Sequence, residues 1–165
     1  LNLRHTINLR NQNIFKVKAI GTSYDNNIWI FDEGDLKLKR IDDAGQVLAE
    51  TVDFRMIFDE VPSPTQIFDQ DGFVYLYDPE KGFYCFDIYG AFKSKVPLLN
   101  WQFTEVVAGK YYGFTNKHLE RYLPASRMDQ RFPLPNCFQQ ANQIKATNGK
   151  VYLLTPTGIT TFLVN

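Results

Sequence analysis

The stretch "IFDQDGFVYLYDPEKGFYCFDIYG" at residues 67–90 contains three apolar runs separated by two short polar segments. The polar segments, "DQDG" (69–72) and "DPEKG" (78–82), are built from the Asp, Gly and Pro residues that tight turns favour. Both alternating faces of the run "FVYLY" (73–77) are apolar, which indicates a strand buried between two layers. We therefore predict short strands joined by tight turns, with aromatic side chains in the core.

The same order of strand, turn, strand, turn and strand occurs four times along the chain, in residues 17–45, 64–90, 103–123 and 142–164. An aromatic residue marks the second strand of each unit, and these residues follow one another at intervals of about 40 positions. They are Trp29, Tyr75, Tyr112 and Tyr152. A period of about 40 residues with several short strands is typical of a β-propeller blade. Closely spaced turn residues leave little room for helix pairs, which can share this period.

A more polar fourth strand is predicted after each of the first three units, at residues 45–54, 91–99 and 127–134, as expected for an exposed outermost strand. The last unit has none before the chain ends, and residues 1–10 could supply an outer strand. In "LKLKRI" (36–41), lysines alternate with leucines, so one face of this strand is expected to be wetter.

The predicted fold class is thus all-β, a β-propeller with about four blades of four antiparallel strands. Residues 1–165 form either a single propeller domain or a fragment of a larger ring. The repeat units cover about residues 17–54, 64–99, 103–134 and 142–165, with residues 1–10 as an outer strand.

The combination of "DNNIWIFDEGDLKLKRID" (25–42), "DGFVYLYDPEKGFYCFDIYG" (71–90) and "NGKVYLLTPTGITTF" (148–162) resembles a group of poorly characterised bacterial β-propeller-like proteins that are generally exported. The resemblance covers residues 3–164 and includes no catalytic motif. It implies a ring of six or seven blades, which favours a fragment over a closed four-bladed ring. It also implies a periplasmic or outer-membrane-associated location, as for a lipoprotein.

Composition argues against several classes of function. The 18 basic and 18 acidic residues balance, whereas nucleic-acid binding needs an excess of Lys and Arg. No apolar run approaches the length of about 20 residues that spans a bilayer. The chain has two cysteines, Cys85 and Cys137, and two histidines, without the spacing of a zinc site. We predict no metal, no cofactor, no nucleic-acid partner and no transmembrane segment.

Asp69 and Asp71 resemble the start of a calcium-binding loop, and Glu80 lies at the twelfth position of that loop. The strand at residues 73–77 separates the two ends by about 17 Å, too far for both to contact one ion. We therefore interpret "DQDG" (69–72) as a hairpin turn.

No catalytic residue is predicted. The serines lie outside any nucleophile motif, and the carboxylate pairs Asp42/Asp43 and Asp59/Glu60 fall in turns or at strand ends, where solvated charges are common. Glycosidase chemistry needs two carboxylates that face each other across a cleft, which sequence alone does not establish.

Trp101, Glu80 and Lys81 are the predicted binding residues, because the connection that holds Trp101 should share a face with the second-to-third strand turns. An exposed Trp101 could stack on a sugar or anchor a protein, whereas a buried one would pack between blades. We predict a non-enzymatic binding or scaffold module of the bacterial cell envelope whose partner is another envelope protein. The alternative is a carbohydrate-binding or carbohydrate-active propeller.

Overall fold

The computed structural model describes residues 6–115, 118–147 and 149–164, and nearly all of its regular structure is β-strand. The strands are β1 (Val17–Thr22), β2 (Ile28–Asp32), β3 (Lys37–Ile41), β4 (Val47–Glu50), β5 (Gln66–Gln70), β6 (Phe73–Asp78), β7 (Gly82–Asp87), β8 (Phe92–Val96), β9 (Gln102–Val107), β10 (Lys110–Phe114), β11 (His118–Leu123), β12 (Met128–Pro133), β13 (Gln143–Thr147), β14 (Lys150–Thr155) and β15 (Gly158–Leu163). Short 3-10 helices are formed by Leu9–Gln12, Phe54–Met56 and Asn136–Gln140. The prediction of an all-β chain is confirmed.

The strands form four antiparallel sheets in chain order, β1 to β4, β5 to β8, β9 to β12 and β13 to β15. The chain divides into two compact units, Leu1–Leu99 and Asn100–Asn165, and each unit contains two of the sheets. Each of the four sheets is formed by consecutive strands of the chain. The outer strand predicted at residues 1–10 is not formed in its described part, because residues 6–8 are irregular and Leu9–Gln12 is a 3-10 helix. Residues 1–5 lie outside the described residues.

The core of the first unit lies between its two sheets, and Phe54 is at its centre. Phe54 is fully buried on the 3-10 helix that follows the first sheet. Its ring stacks on Phe31 at 5.6 Å and on Phe86 at 5.2 Å between centroids, so it contacts an aromatic ring of each sheet. The connection between the two sheets thus contributes to the core that joins them.

Strands β1 and β5 approach each other closely, and Gly21 makes this approach possible. A Cβ atom at this position would lie 2.6 Å from the carbonyl oxygen of Ile67. The first strands of the two sheets of this unit are therefore neighbours, as propeller blades require of their innermost strands.

A buried aspartate ends the second strand of each sheet of the first unit. The Asp32 carboxylate accepts hydrogen bonds from the backbone N–H groups of Phe15 (3.2 Å), Lys16 (2.9 Å) and Gly34 (2.9 Å) and from the Lys39 ammonium (3.1 Å). The Asp78 carboxylate accepts from the N–H groups of Ser63 (2.7 Å), Glu80 (2.8 Å) and Lys81 (3.2 Å). Each carboxylate thereby ties the second-to-third strand turn to the segment that enters the same sheet.

Lys39 is buried, contrary to the expectation that the lysines of residues 36–41 face water. Its side chain is 4% exposed, and its Nζ lies 3.1 Å from Asp32 Oδ2 and 2.5 Å from Asp35 Oδ2. Burial acts to lower the pKa of Lys39, but the two carboxylates outweigh it and the pKa is raised. Burial likewise acts to raise the pKa of Asp32. Its hydrogen bonds outweigh burial and hold the pKa below its ordinary value, and the bond from the Gly34 N–H has the largest effect among them.

The third-to-fourth strand turns of the first unit also repeat. In "DDAG" (42–45) and "DIYG" (87–90), the aspartate Oδ1 accepts hydrogen bonds from two backbone N–H groups of its own turn. The closing glycines, Gly45 and Gly90, both adopt φ of 88°, a left-handed conformation that other residues rarely adopt. These turns form a second repeated motif that the sequence analysis did not identify.

Candidate functional site

The second unit contains a cleft of about 430 Å³ between its two sheets. Its walls come from the start of β9, the end of β10, the connection between β12 and β13, and Ile144 in β13. The cleft therefore lies at the edge where the second strand ends and the next sheet is entered. Its volume falls within the range of about 300–1,000 Å³ found for small-molecule sites.

Phe103 is held at the rim of the cleft by an irregular backbone. Its φ is 48°, a left-handed value that is costly for a bulky residue, and the pairing of β9 with β10 shifts register between Tyr112 and Phe114. The Phe103 side chain remains 39% exposed while it lines the cleft. Strain of this kind persists only where neighbouring structure enforces it.

Trp101 contributes to holding the backbone at Phe103 in this conformation. The side chain is 5% exposed, and its Nε1 donates a hydrogen bond to Glu120 Oε2 at 2.8 Å. Its ring covers Gly113 so closely that a Cβ there would lie 2.1 Å from two ring carbons. Trp101 thus fastens the segment that enters β9 and positions Gln102 and Phe103, instead of forming an exposed platform.

Phenylalanine rings form the apolar wall of the cleft. Phe138, on the 3-10 helix Asn136–Gln140, stacks on Phe114 with centroids 6.0 Å apart and planes inclined by 24°. On its other side Phe138 contacts Phe162 at 4.9 Å. The connection between the two sheets is therefore packed against both of them.

The cleft carries no charged group among its described lining residues. Its polar groups are the side chains of Gln102, Asn136 and Thr115. Thr115 Oγ1 is engaged within its own turn, since it lies 3.2 Å from the His118 N–H and 3.3 Å from the His118 carbonyl oxygen. The exposed amides of Gln102 and Asn136 form no hydrogen bond with the side chains or backbone of the described residues, and are free to bind an uncharged ligand.

Glu80 and Lys81, the other predicted site residues, belong to the first unit. Their backbone N–H groups donate to Asp78 Oδ1, and Lys81 Nζ donates to the carbonyl oxygen of Val61 at 2.6 Å. Trp101 belongs to the second unit. The binding role of Trp101, Glu80 and Lys81 stays a prediction.

Asp69 in "DQDG" has a role that its sequence did not indicate. Asp69 lies in β5, one residue before its end, and the turn of Asp71 and Gly72 leads into β6, as the hairpin interpretation expects. Asp69 Oδ2 accepts hydrogen bonds from Ser23 Oγ at 2.8 Å and from Trp29 Nε1 at 2.9 Å. Asp69 therefore links the two sheets of the first unit.

Three other features bear on chemistry within the described residues. No group of three or more His, Cys, Asp or Glu side chains is placed there to hold a metal ion. None of the helices found there is long and apolar enough to cross a membrane. Cys85 and Cys137 are free thiols, and burial raises the pKa of Cys85 to about 11.

No protein-family model and no curated protein matches the sequence. Solved structures match the chain at low identity. The extracellular domain of a protein assigned to a hybrid two-component system of B. thetaiotaomicron gives a TM-score of 0.56 at 15% identity, covering 98% of this chain and 23% of that one. Virginiamycin B lyase from Staphylococcus aureus gives 0.55 at 16%, covering 90% and 55%. PorZ, a surface component of the type-IX secretion system of Porphyromonas gingivalis, gives 0.54 at 12%, covering 91% and 20%.

At these identities the likeness concerns the fold alone. The chain spans 23% of the first of these structures and 55% of the second. The likeness, together with four repeated antiparallel sheets, confirms the prediction of a β-propeller fold and the resemblance to bacterial propeller-like proteins.

Proposed function

We propose that this chain is a ligand-binding region of an exported bacterial propeller protein and works as a non-enzymatic binding or scaffold module of the cell envelope. The observation that carries the proposal is the cleft of the second unit, with its phenylalanine wall, its free amides and its lack of charge. Apolar pockets with a few convergent polar groups are the usual form of a binding site. The backbone strain at Phe103 is also typical of functional sites.

The fold neighbours support a location outside the cytoplasm. One neighbour is an extracellular domain, and another is a bacterial surface component. An exported protein in a periplasmic or outer-membrane-associated position would meet both envelope proteins and glycans. Our first candidate for the partner is another envelope protein.

A carbohydrate ligand is the second candidate, and the lining of the cleft favours it. Sugars present apolar C–H faces that pack on aromatic rings, and hydroxyl groups that bond to amides. Phe103 offers a partly exposed ring, and Gln102 and Asn136 offer amides beside it. A neutral sugar matches this lining better than a charged ligand, which would be desolvated without a partner.

The experiment compares Phe103→Asn with Tyr89→Ser, using the whole chain as bait for envelope extracts and as a probe on a glycan array. Asparagine tolerates the φ of 48° and removes the ring, whereas Tyr89 is an 81% exposed aromatic residue of the first unit. We expect a partner or glycan that the wild type and Tyr89→Ser retain equally and Phe103→Asn loses. The proposal would be refuted if the wild type bound nothing in both assays, or if Phe103→Asn retained the partner or glycan as well as the wild type does.

A further inference from the structure

The first unit contains a second cavity, of about 390 Å³, that is chemically unlike the cleft. It lies between the connection that follows the 3-10 helix Phe54–Met56 and the outer strands β7 and β8. Its lining residues are Ile57, Phe58, Asp59, Glu60, Tyr84 and Lys95. Charged groups of both signs and an apolar surface thus share one small space.

Two hydrogen-bond donors meet on one wall of this cavity. Tyr84 and Lys95 are direct cross-strand partners in β7 and β8, and Lys95 Nζ lies 5.0 Å from the centroid of the Tyr84 ring. The Tyr84 side chain is fully buried, and its hydroxyl forms no hydrogen bond of normal geometry among the described residues. Burial raises the pKa of Tyr84, and the nearby Lys95 ammonium opposes that shift, so Lys95 lies next to the hydroxyl. Lys95 forms no ion pair with a described carboxylate. A buried hydroxyl without a partner is costly, so a ligand carboxylate that bonds to both donors would be stabilised.

Two acceptors come from the connection that lines the same cavity. Asp59 and Glu60 are exposed carboxylates of the connection, and neither forms an ion pair with a described residue, Lys95 included. The positive and negative groups of the cavity therefore form no direct ion pair with each other. A ligand that carries an ammonium beside its carboxylate would satisfy both sets of groups.

Two apolar residues, Ile57 and Phe58, also line the cavity. The Phe58 ring meets Tyr84 edge-to-face at 5.0 Å and Phe92 edge-to-face at 4.9 Å, so its position is fixed by aromatic packing. Ile57 beside it is 40% exposed. An aliphatic or aromatic side chain could bury surface against these two residues.

We propose that this cavity binds a free α-amino acid with an apolar side chain. The ligand carboxylate takes hydrogen bonds from the Lys95 ammonium and the Tyr84 hydroxyl. The ligand ammonium pairs with Asp59 and Glu60, and its side chain packs on Ile57 and Phe58. Lys95 is exposed, and the proposal requires its side chain to turn from the Tyr84 ring towards the ligand, so that the hydroxyl becomes accessible. This site does not depend on the cleft of the second unit.

Isothermal titration of the whole chain with L-leucine tests the proposal, with two analogues that each lack one charge. N-acetyl-L-leucine has no ammonium, and L-leucinamide has no carboxylate. We expect L-leucine to bind and both analogues to bind at least about tenfold more weakly, the usual effect of losing a charge-assisted hydrogen bond. Equal binding of either analogue, or no binding of L-leucine at millimolar concentration, would overturn the zwitterion assignment.

Substitutions of the lining residues test whether L-leucine binds in this cavity. Tyr84→Phe and Lys95→Gln should each weaken L-leucine binding about tenfold, while Lys93→Gln, on the same strand and paired with Asp87 at 2.8 Å, should leave it unchanged. Tyr84→Phe should keep or raise the melting temperature, because it removes a hydroxyl that has no partner. Unchanged binding in both Tyr84→Phe and Lys95→Gln would place leucine elsewhere. Glu60→Gln removes an exposed carboxylate that the proposal pairs with the ligand ammonium. It should therefore weaken L-leucine binding without altering the core.

Discussion

Replacing Asp32 with asparagine should lower the free energy of unfolding by about 2–4 kcal/mol. The carboxylate is fully buried and accepts four hydrogen bonds, and an asparagine would turn an NH₂ group towards donors that now meet an oxygen. Removing one partner of a buried ion pair costs about 3–5 kcal/mol when the other charge is left alone. Lys39 would retain Asp35, whose side chain is 36% exposed, so we expect a smaller loss.

The matched control is Asp42→Asn. Asp42 accepts both of its hydrogen bonds through one oxygen, Oδ1, which an asparagine side chain can reproduce. We expect a change of less than about 0.5 kcal/mol for this exposed turn. Urea unfolding followed by tryptophan fluorescence measures both variants, because the buried Trp29 belongs to the same unit. Equal, small losses in the two variants would show that the Asp32 carboxylate does not fasten the first unit.

The buried ion pair of Asp32 and Lys39 predicts that the free energy of unfolding depends on pH. The pKa of Asp32 is lowered from its ordinary 3.8, so its contribution is present above that pH and is lost as pH falls through the folded-state pKa. The difference between wild type and Asp32→Asn should therefore be constant near neutrality and shrink in acid, below about pH 4. The pKa of Lys39 is raised above 10.5, so its contribution is complete below that pH and is lost only as pH rises through the folded-state pKa. Unfolding curves across the pH range would show a difference that grows in acid if the sign of this reasoning were wrong.

Three further predictions concern packing and thiol reactivity. Gly21→Ala should cost about 1–3 kcal/mol in urea unfolding, because the added Cβ would meet the Ile67 carbonyl oxygen at 2.6 Å; an unchanged midpoint would contradict the close approach. Trp101→Phe should cost a similar amount, about 1–3 kcal/mol, since it removes the hydrogen bond to a carboxylate. At pH 8 a thiol reagent should label Cys137 in the folded chain and Cys85 only in urea, because burial raises the pKa of Cys85 to about 11; mass spectrometry of the labelled peptides reads the order.

The strand pattern could be predicted from sequence because its determinants are local. The turn residues of "DQDG" (69–72) and "DPEKG" (78–82) and the apolar run between them specify a hairpin without reference to distant parts of the chain. The repeat then extended that assignment to the other units, and the structure forms four antiparallel sheets in chain order. The propeller fold followed from the period and not from any single residue.

Burial of charged residues could not be predicted in the same way. Lys39 alternates with leucines as a solvent-facing residue would, and its partner Asp32 lies on another strand. Asp69 resembled a turn residue, although its carboxylate bonds to a serine and a tryptophan of the neighbouring sheet. A signal for Asp32 was present, because an aspartate recurs at the end of the second strand in both sheets of the first unit. The recurrence of Asp32 and Asp78 could have indicated a buried aspartate that accepts hydrogen bonds at the end of the second strand.

The cleft arises where that recurrence stops. In the first unit, Asp32 and Asp78 bind backbone N–H groups of the segment that enters their own sheet. Thr115 holds the corresponding place in the first sheet of the second unit, and its shorter side chain bonds, among the described residues, only within its own turn. The entering segment is fastened instead by Trp101, and it carries Phe103 out to the rim in a strained conformation. Threonine in place of aspartate at this position thus removes the hydrogen bonds to the entering segment. The space beside that segment is the cleft that we propose as the binding site.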